Sequence, residues 1–360
     1  MRGAVQSSPG SRIFARVRSL VRDTRLVIAV LLIVSLNPTT AQTPVRQTVA
    51  EPPVKIEINA VPLDAFETRD PGKRRFGALE FRGGLVLTSP YREFGGVSAL
   101  RVQPDGSRFI AITDQGRWLR GRIVYNGTRP VRIADAEMAP ALGPSGRPLG
   151  AMGWYDTEAI AEDGGTLYVG IERVNRILRF DYGRSGLAAR GQVVPVPPGV
   201  ATLPNNKGLE CLTFAGKSTP LAGTLIAISE RGLDAAGNIK GFLIGGRTPG
   251  EIVYRRQAEF DVSDCATLPS GDLLVLERKF RWSTGVQIRI RRIAIASVAP
   301  GALLDGPLLL DVDMGYQIDN MEGLSVHTLP SGETVLTLIS DDNFSFLQRT
   351  LLLQFTLMPE

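Results

Sequence analysis

Histidine is almost missing from this chain: its 360 residues hold one, His327. A His-rich zinc site is therefore excluded by counting. A Ser-His-Asp triad would have to use His327, and no Gly-x-Ser-x-Gly elbow accompanies it. Gly-rich phosphate cradles of the P-loop kind are absent too. Cysteine is nearly as scarce, with Cys211 and Cys265 alone, too few for a disulfide-built scaffold. Aromatic residues make up 7%, so the core must rest on Val, Ile and Leu. No long amphipathic helix is legible from Val54 onward.

A surplus of one charge sign is also missing once the start of the chain is set aside. Residues 1–41 hold six arginines and one acid, Asp23. Removing them leaves 41 − 6 = 35 bases and 36 − 1 = 35 acids, a neutral body with no electrostatic case for nucleic-acid binding. The arginines precede an apolar run of 11 residues, Leu26–Leu36, and the small residues Thr39-Thr40-Ala41 follow. That order is a signal peptide cut after Ala41, with an uncleaved anchor as the alternative. The run is short for a membrane span. No Arg-Arg pair precedes it, which argues against export in the folded state. The expected location is periplasmic or secreted, residues 42–53 are read as a linker, and the body is expected to be monomeric.

What the sequence does have is turns and repetition. Gly (39) and Pro (24) are plentiful and scattered, as in a chain of many short strands. Five copies of one module begin at Gly96-Val-Ser-Ala-Leu100, Asp156-Thr-Glu-Ala-Ile160, Gly208-Leu-Glu-Cys-Leu212, Val262-Ser-Asp-Cys265 and Asn320-Met-Glu-Gly-Leu324. Their key residues are Ser98, Glu158, Glu210, Ser263 and Glu322, at intervals of 60, 52, 53 and 59. Turn sequences such as Pro104-Asp-Gly106, Pro269-Ser-Gly271 and Pro330-Ser-Gly332 then lead into a second apolar strand. Third strands include Arg176–Phe180 and Thr350–Phe355, and outer strands are expected at Gln192–Val196 and Leu308–Val312.

Modules of 50–60 residues with four strands each are propeller blades. The fold class expected is all-β: a five-bladed β-propeller over residues 54–360. Spare residues near 54–90 leave six blades open, and a lectin-like sandwich is the other alternative. The last module stops after its third strand. Either Val54–Asn59 or Gly77–Phe81 is expected to complete it and close the ring.

Antiparallel pairing returns the end of each second strand to the start of the first. An inner set, Ser98, Glu158, Glu210, Ser263 and Glu322, should thus share one channel mouth with an outer set, Asp114, Glu172, Glu230, Glu277 and Asp341. Crowded carboxylates need a cation or large pKa shifts. All-oxygen ligands of flexible geometry favour Ca²⁺ over Zn²⁺. The inner set is the expected Ca²⁺ site. Glu172, Glu230, Glu277 or Asp341 would serve as general base, and Arg173, Arg231, Arg278, Arg349 and Lys207 would hold an anionic substrate. The competing account pairs the outer acids with Arg173, Arg231 and Arg278, which directly follow three of them. Trp118 with Arg117 and Asn175 with Arg176 are further candidates on this face. Cys211 and Cys265 fall on opposite sides of neighbouring blades, so both enter the shared interface or both leave it. Their pairing stays open, with free thiols the favoured state.

The phrases Phe94-Gly-Gly-Val-Ser-Ala-Leu100, Ile112-Thr-Asp-Gln-Gly-Arg-Trp118, Asn206-Lys-Gly-Leu-Glu-Cys-Leu212, Leu274-Val-Leu-Glu-Arg278 and Asp342-Asn-Phe-Ser-Phe-Leu-Gln-Arg-Thr-Leu-Leu-Leu-Gln-Phe355 resemble the bacterial "esterase-like activity of phytase" family. That resemblance spans about residues 74–356 and implies an exported propeller that hydrolyses phosphoesters or esters. A more distant resemblance is to the calcium-activated apyrases, five-bladed propellers with a central Ca²⁺ held in a Ser-Glu-Glu-Ser-Glu order. Ser98, Glu158, Glu210, Ser263 and Glu322 match that order. Two functional classes remain: a Ca²⁺-dependent phosphoester or phosphoanhydride hydrolase, and a non-catalytic propeller with structural Ca²⁺ that binds a glycan, peptide or envelope partner. A sugar-lactone hydrolase is a third, since those enzymes also use Ca²⁺ in a propeller.

Overall fold

The computed structural model describes residues 51–359. The leader reading lies outside them. Five antiparallel sheets follow one another in the chain, each ordered outward from its first strand. Blade one is built from Val97–Val102, Arg108–Thr113, Arg117–Asn126 and Arg129–Pro140. Blade two uses Thr157–Asp163, Thr166–Ile171, Arg176–Phe180 and Gln192–Val194. Leu209–Phe214, Thr224–Leu233, Ile239–Gly245 and Gly250–Tyr254 form blade three, with Leu303–Leu304 added in parallel at its edge. Blade four consists of Asp261–Thr267, Leu273–Arg281, Gly285–Ile293 and Leu308–Val312.

Blade five closes the ring. Its strands Met321–Thr328, Thr334–Ser340 and Thr350–Leu357 come from the end of the chain, and Leu79–Thr88 and Asn59–Leu63 come from near its start. The closing strand therefore begins within the Gly77–Phe81 segment. Val54–Lys55 instead pairs with Met138 and Glu137 on the outer edge of blade one. These pairings use up the residues that could have made a sixth blade.

Hydrophobic burial follows the same ring. Five core clusters fill the five gaps between neighbouring blades. Strand alternation explains this. In blade four Leu274 and Leu276 face blade five, while Leu273 and Val275 face blade three. Both faces of each blade are buried, so its strands read as continuous apolar runs. The turns behave as their sequences require: the amides of Gly106 and Gly271 bond back to Gln103 and Leu268, with φ of 73° and 94°.

Cys211 and Cys265 both enter the gap between blades three and four and form a disulfide, with Cα atoms 5.1 Å apart. This corrects the preference for free thiols. Parity had reduced the choice to two arrangements but could not orient them.

Candidate functional site

Each first strand opens with a β-bulge. Pairing steps directly from Val97 to Ala99, Thr157 to Ala159, Leu209 to Cys211, Val262 to Asp264 and Met321 to Gly323. The residues passed over are Ser98, Glu158, Glu210, Ser263 and Glu322. A bulge inserts one residue with no ladder partner and re-aims its side chain. All five are buried, at 9% exposure or less. They influence one another across blades: Glu158 is repelled by Glu322, and Glu210 by both Glu158 and Glu322, while Ser98 Oγ donates to the Gly96 carbonyl at 3.4 Å. Ser263 Oγ donates to the Met321 carbonyl at 3.1 Å.

A second tier directly follows the second strand in blades one, two and five and lies within the longer second strands of blades three and four. The amides of Asp114, Glu172, Glu230 and Asp341 bond to the carbonyls of Gly96, Asp156, Gly208 and Asn320. In blade four the equivalent residue, opposite Asp261, is Arg278. Glu277 stands opposite Val262, where the other blades have Thr113, Ile171, Ser229 and Ser340. The one-residue offset turns its side chain to the other face of the strand. There it pairs with buried Arg291 at 3.1 Å, away from the mouth. The outer set is thus Asp114, Glu172, Glu230, Arg278 and Asp341, and the assignment of Glu277 as a base at the mouth is corrected.

Arg278 is also not a free substrate clamp. It lies 3.2 Å from Glu322 and 3.6 Å from Glu230, and it hydrogen-bonds Asn320. Lys207 is paired to Glu230. Carboxylate oxygens of Glu172, Glu210 and Glu230 lie within 4.8 Å of one another. Burial, then repulsion from Glu322, pushes Asp341 up to about 8. Burial, then Asp341, raises Asp114 to about 7. Burial holds Glu172 at about 7 despite a 2.7 Å bond from the Gly208 amide. Glu158 and Glu210 are raised well above the usual range by burial and by neighbouring carboxylates. Glu322 is raised by burial, with Arg278 opposing.

The remaining candidates disperse. Arg231 binds Asp261, Arg173 stacks on Tyr155 with its guanidinium 5.2 Å from the ring centroid, and Arg349 bonds Gln317 and the Ile318 carbonyl. Trp118 is core between blades one and two, and Arg117 pairs with Glu93. The Asn175 amide is buried against the Leu203 carbonyl, and Arg176 stacks on Trp154. His327 is buried beside the Gly106 turn, at the opposite end of the channel.

A family model described as "Phytase-like: Esterase-like activity of phytase" matches residues 92–344. The chain belongs to this phytase-like family. Its membership points to an esterase- or hydrolase-type propeller. A search of curated proteins returns no significant match. Similar solved structures include the RRP9 WD40 repeats, at 11% identity, covering 83% of this chain and 100% of that one with a TM-score of 0.37. The PQQ-bound aldose sugar dehydrogenase of Streptomyces coelicolor is 13% identical over 85% and 100% of the two chains, TM-score 0.38. Myxococcus xanthus glutaminyl cyclase is 12% identical over 86% and 100%, TM-score 0.38. Likenesses this low carry no functional argument, and the blade count rests on sheet topology.

Beneath the acidic tier the phytase-like propeller has a feature that sequence patterning missed. Arg101, three residues past Ser98, reaches across the axis to Asp264 at 3.1 Å and to the carbonyls of Leu212 and Leu324 at 2.9 and 3.0 Å. Asp264 also accepts the Leu324 amide at 2.7 Å. One ion pair thereby ties blades one, three, four and five. Its sequence signal was a charge at each of two positions inside first strands whose neighbouring residues are small or apolar. Above it lie six buried acids, Glu158, Glu172, Glu210, Glu230, Glu322 and Asp341, with half-buried Asp114, against two cations, Arg278 and Lys207, that pair with Glu322 and Glu230. An all-oxygen donor set with more carboxyl groups than cations suits a hard cation, which would favour their ionised form.

Proposed function

We propose that this phytase-like propeller is a Ca²⁺-dependent hydrolase of phosphoesters or phosphoanhydrides that works outside the cytoplasm. The observation that carries the reading is five bulge residues converging on one axis with more buried carboxylates than cations to balance them. Glu158, Glu210 and Glu322, with Ser98 and Ser263, would hold the ion, and Glu172 and Glu230 lie close enough to Glu210 to share in it. Ca²⁺, when held by these residues, would neutralise the ring and supply Lewis-acid polarisation of a phosphoryl group.

Asp341 is the residue best suited to act as base, because it borders the ring through Glu322 without belonging to the Glu172–Glu210–Glu230 group. It would take a proton from water as the new P–O bond forms and the bond to the leaving oxygen breaks. That proton then passes to the departing alkoxide, so ester and water give phosphate and alcohol. Arg278 and Lys207, held by Glu322 and Glu230, would supply fixed positive charge beside the phosphoryl group without clamping it. The Cys211–Cys265 disulfide supports an oxidising compartment, in keeping with the leader expected from the sequence of residues 1–41.

Calorimetric Ca²⁺ titration and phosphate-release assays on wild type, Glu210→Gln and Asp341→Asn test the reading. Glu210→Gln should lose both Ca²⁺ binding and turnover. Asp341→Asn should keep binding and lose about 10²-fold or more in turnover. Unchanged turnover in Glu210→Gln rejects the mechanism. The depth of the acids favours one second reading, a structural Ca²⁺ in a non-catalytic binding protein. Chelation would then lower the melting temperature with no activity to lose.

A further inference from the structure

Beside the acidic mouth lies a cleft of about 770 Å³, lined by Arg92, Glu93, Phe94, Gln115, Asp342 and Phe344. It forms where the loop after Asp341 folds over the start of blade one. Two successive non-glycine residues of that loop, Asn343 and Phe344, have φ of 48° and 50°. Such backbone is rare for a bulky side chain and persists where the surroundings enforce it. Here Asp342 enforces it. Its Oδ1 accepts the Phe344 and Gly96 amides, each at 3.0 Å, and its Oδ2 accepts Thr350 Oγ1 at 2.9 Å. Asp341 accepts the Asn343 amide at 2.6 Å.

Blade one is cut to fit this loop. A Cβ on Gly95 would stand 2.7 Å from Asp342 and 3.0 Å from the Phe344 ring. One on Gly96 would overlap the Asp114 carboxylate and come within 2.5 Å of the same ring. Phe344 and Asp114 therefore meet across a glycine, which makes the aromatic surface continuous with the acidic mouth. Despite the strain, Phe344 is 40% exposed. The loop holds an aromatic ring open to the cleft instead of burying it.

The charges decide what the cleft can take. A polyanion needs several unengaged cations, yet Lys207, Arg231, Arg278 and Arg349 each have an acidic partner and Arg173 is stacked on Tyr155. Among the described residues Arg92 is exposed and has no ion pair. One free guanidinium beside one open ring suits a single aromatic group.

We propose that this cleft is the leaving-group subsite, that Phe344 determines its specificity, and that the preferred substrates are monoesters of aromatic alcohols. The inference rests on the hydrolase reading and names its substrate class.

Phe344→Gly is the decisive variant, because glycine adopts this backbone without strain and the fold is retained while the ring is lost. Phosphate release from phenyl phosphate and from glycerol phosphate is compared in the two proteins, which cancels intrinsic reactivity. The variant should lose about tenfold in kcat/KM for phenyl phosphate, mainly through KM, and leave glycerol phosphate unchanged. Phe344→Tyr should restore the preference. Equal loss on both substrates, or no loss on either, overturns the proposal while leaving the hydrolase reading intact. Calorimetry with phenylphosphonate and methylphosphonate on Ca²⁺-loaded protein needs no turnover. If phenylphosphonate binds more tightly to wild type and that advantage vanishes in Phe344→Gly, the subsite stands even where no hydrolysis is found. Equal affinity for the two phosphonates overturns it.

Discussion

His327 is the one imidazole in the chain, and it is buried. Burial, reinforced by Arg82 and opposed by Asp105, pushes it down to about 4. Below pH 6.5 the unfolded chain takes up a proton there that the folded chain refuses, so stability falls as pH drops from about 6.5 towards 4. The full effect is on the order of 3 kcal/mol. The measurement is the difference in unfolding free energy between wild type and His327→Gln across that window, which cancels the mouth carboxylates. A difference independent of pH would reject the burial argument, and the single imidazole resonance gives the titration directly. Residue-scale reading of the sequence sufficed where counting alone decides, as with a single histidine that cannot make a His-rich zinc site. It failed at Glu277, because Glu277-Arg278 repeats the acid–arginine order of Glu172-Arg173 and Glu230-Arg231 one position out of register. Only the pairing of Val262 with Glu277 shows that Arg278 occupies the mouth.

At the level of strands and turns, order and turn positions were legible because Pro-x-Gly sequences and apolar runs are local signals. The bulges were not, since an unpaired residue exists only relative to its partner strand. Their consequence can be tested at the residue that follows each one: Ala99, Ala159, Cys211, Asp264 or Gly323. These positions face the next blade where the first strands crowd the axis. Gly323 is the tightest: a Cβ there would lie 2.6 Å from Ile339 and 2.9 Å from Leu100, near the Leu100 backbone. Gly323→Ala should therefore destabilise the protein by about 1–3 kcal/mol through overpacking, read from urea unfolding. Gly72→Ala, whose Cβ would meet only Asp70 at 3.7 Å, controls for the loss of glycine itself. If Gly323→Ala costs no more than Gly72→Ala, the crowding argument fails.

For the whole molecule the question is what keeps five blades in a closed circle. Leu79–Thr88 seals it by pairing with Thr350–Leu357, a contact that local patterning could place only as one of two options. On the axis, Arg101 binds the carbonyls of Leu212 and Cys265, the residue after one disulfide cysteine and the other cysteine itself. The ion pair and the disulfide thus reinforce the same seam, between blades three and four, next to Glu210 and Ser263. The disulfide can be removed cleanly. The place of Cys211 is taken by Ala99 and Ala159 in the first two blades, so alanine suits its surroundings. The two cysteines are 54 residues apart, and cross-linking a loop of that length restricts the unfolded chain by about 4 kcal/mol. Cys211→Ala/Cys265→Ala should lose stability of that order, with a lower urea midpoint and a steeper slope as the unfolded state expands. An unchanged midpoint would mean that Arg101–Asp264 and blade packing already hold the seam without the covalent link.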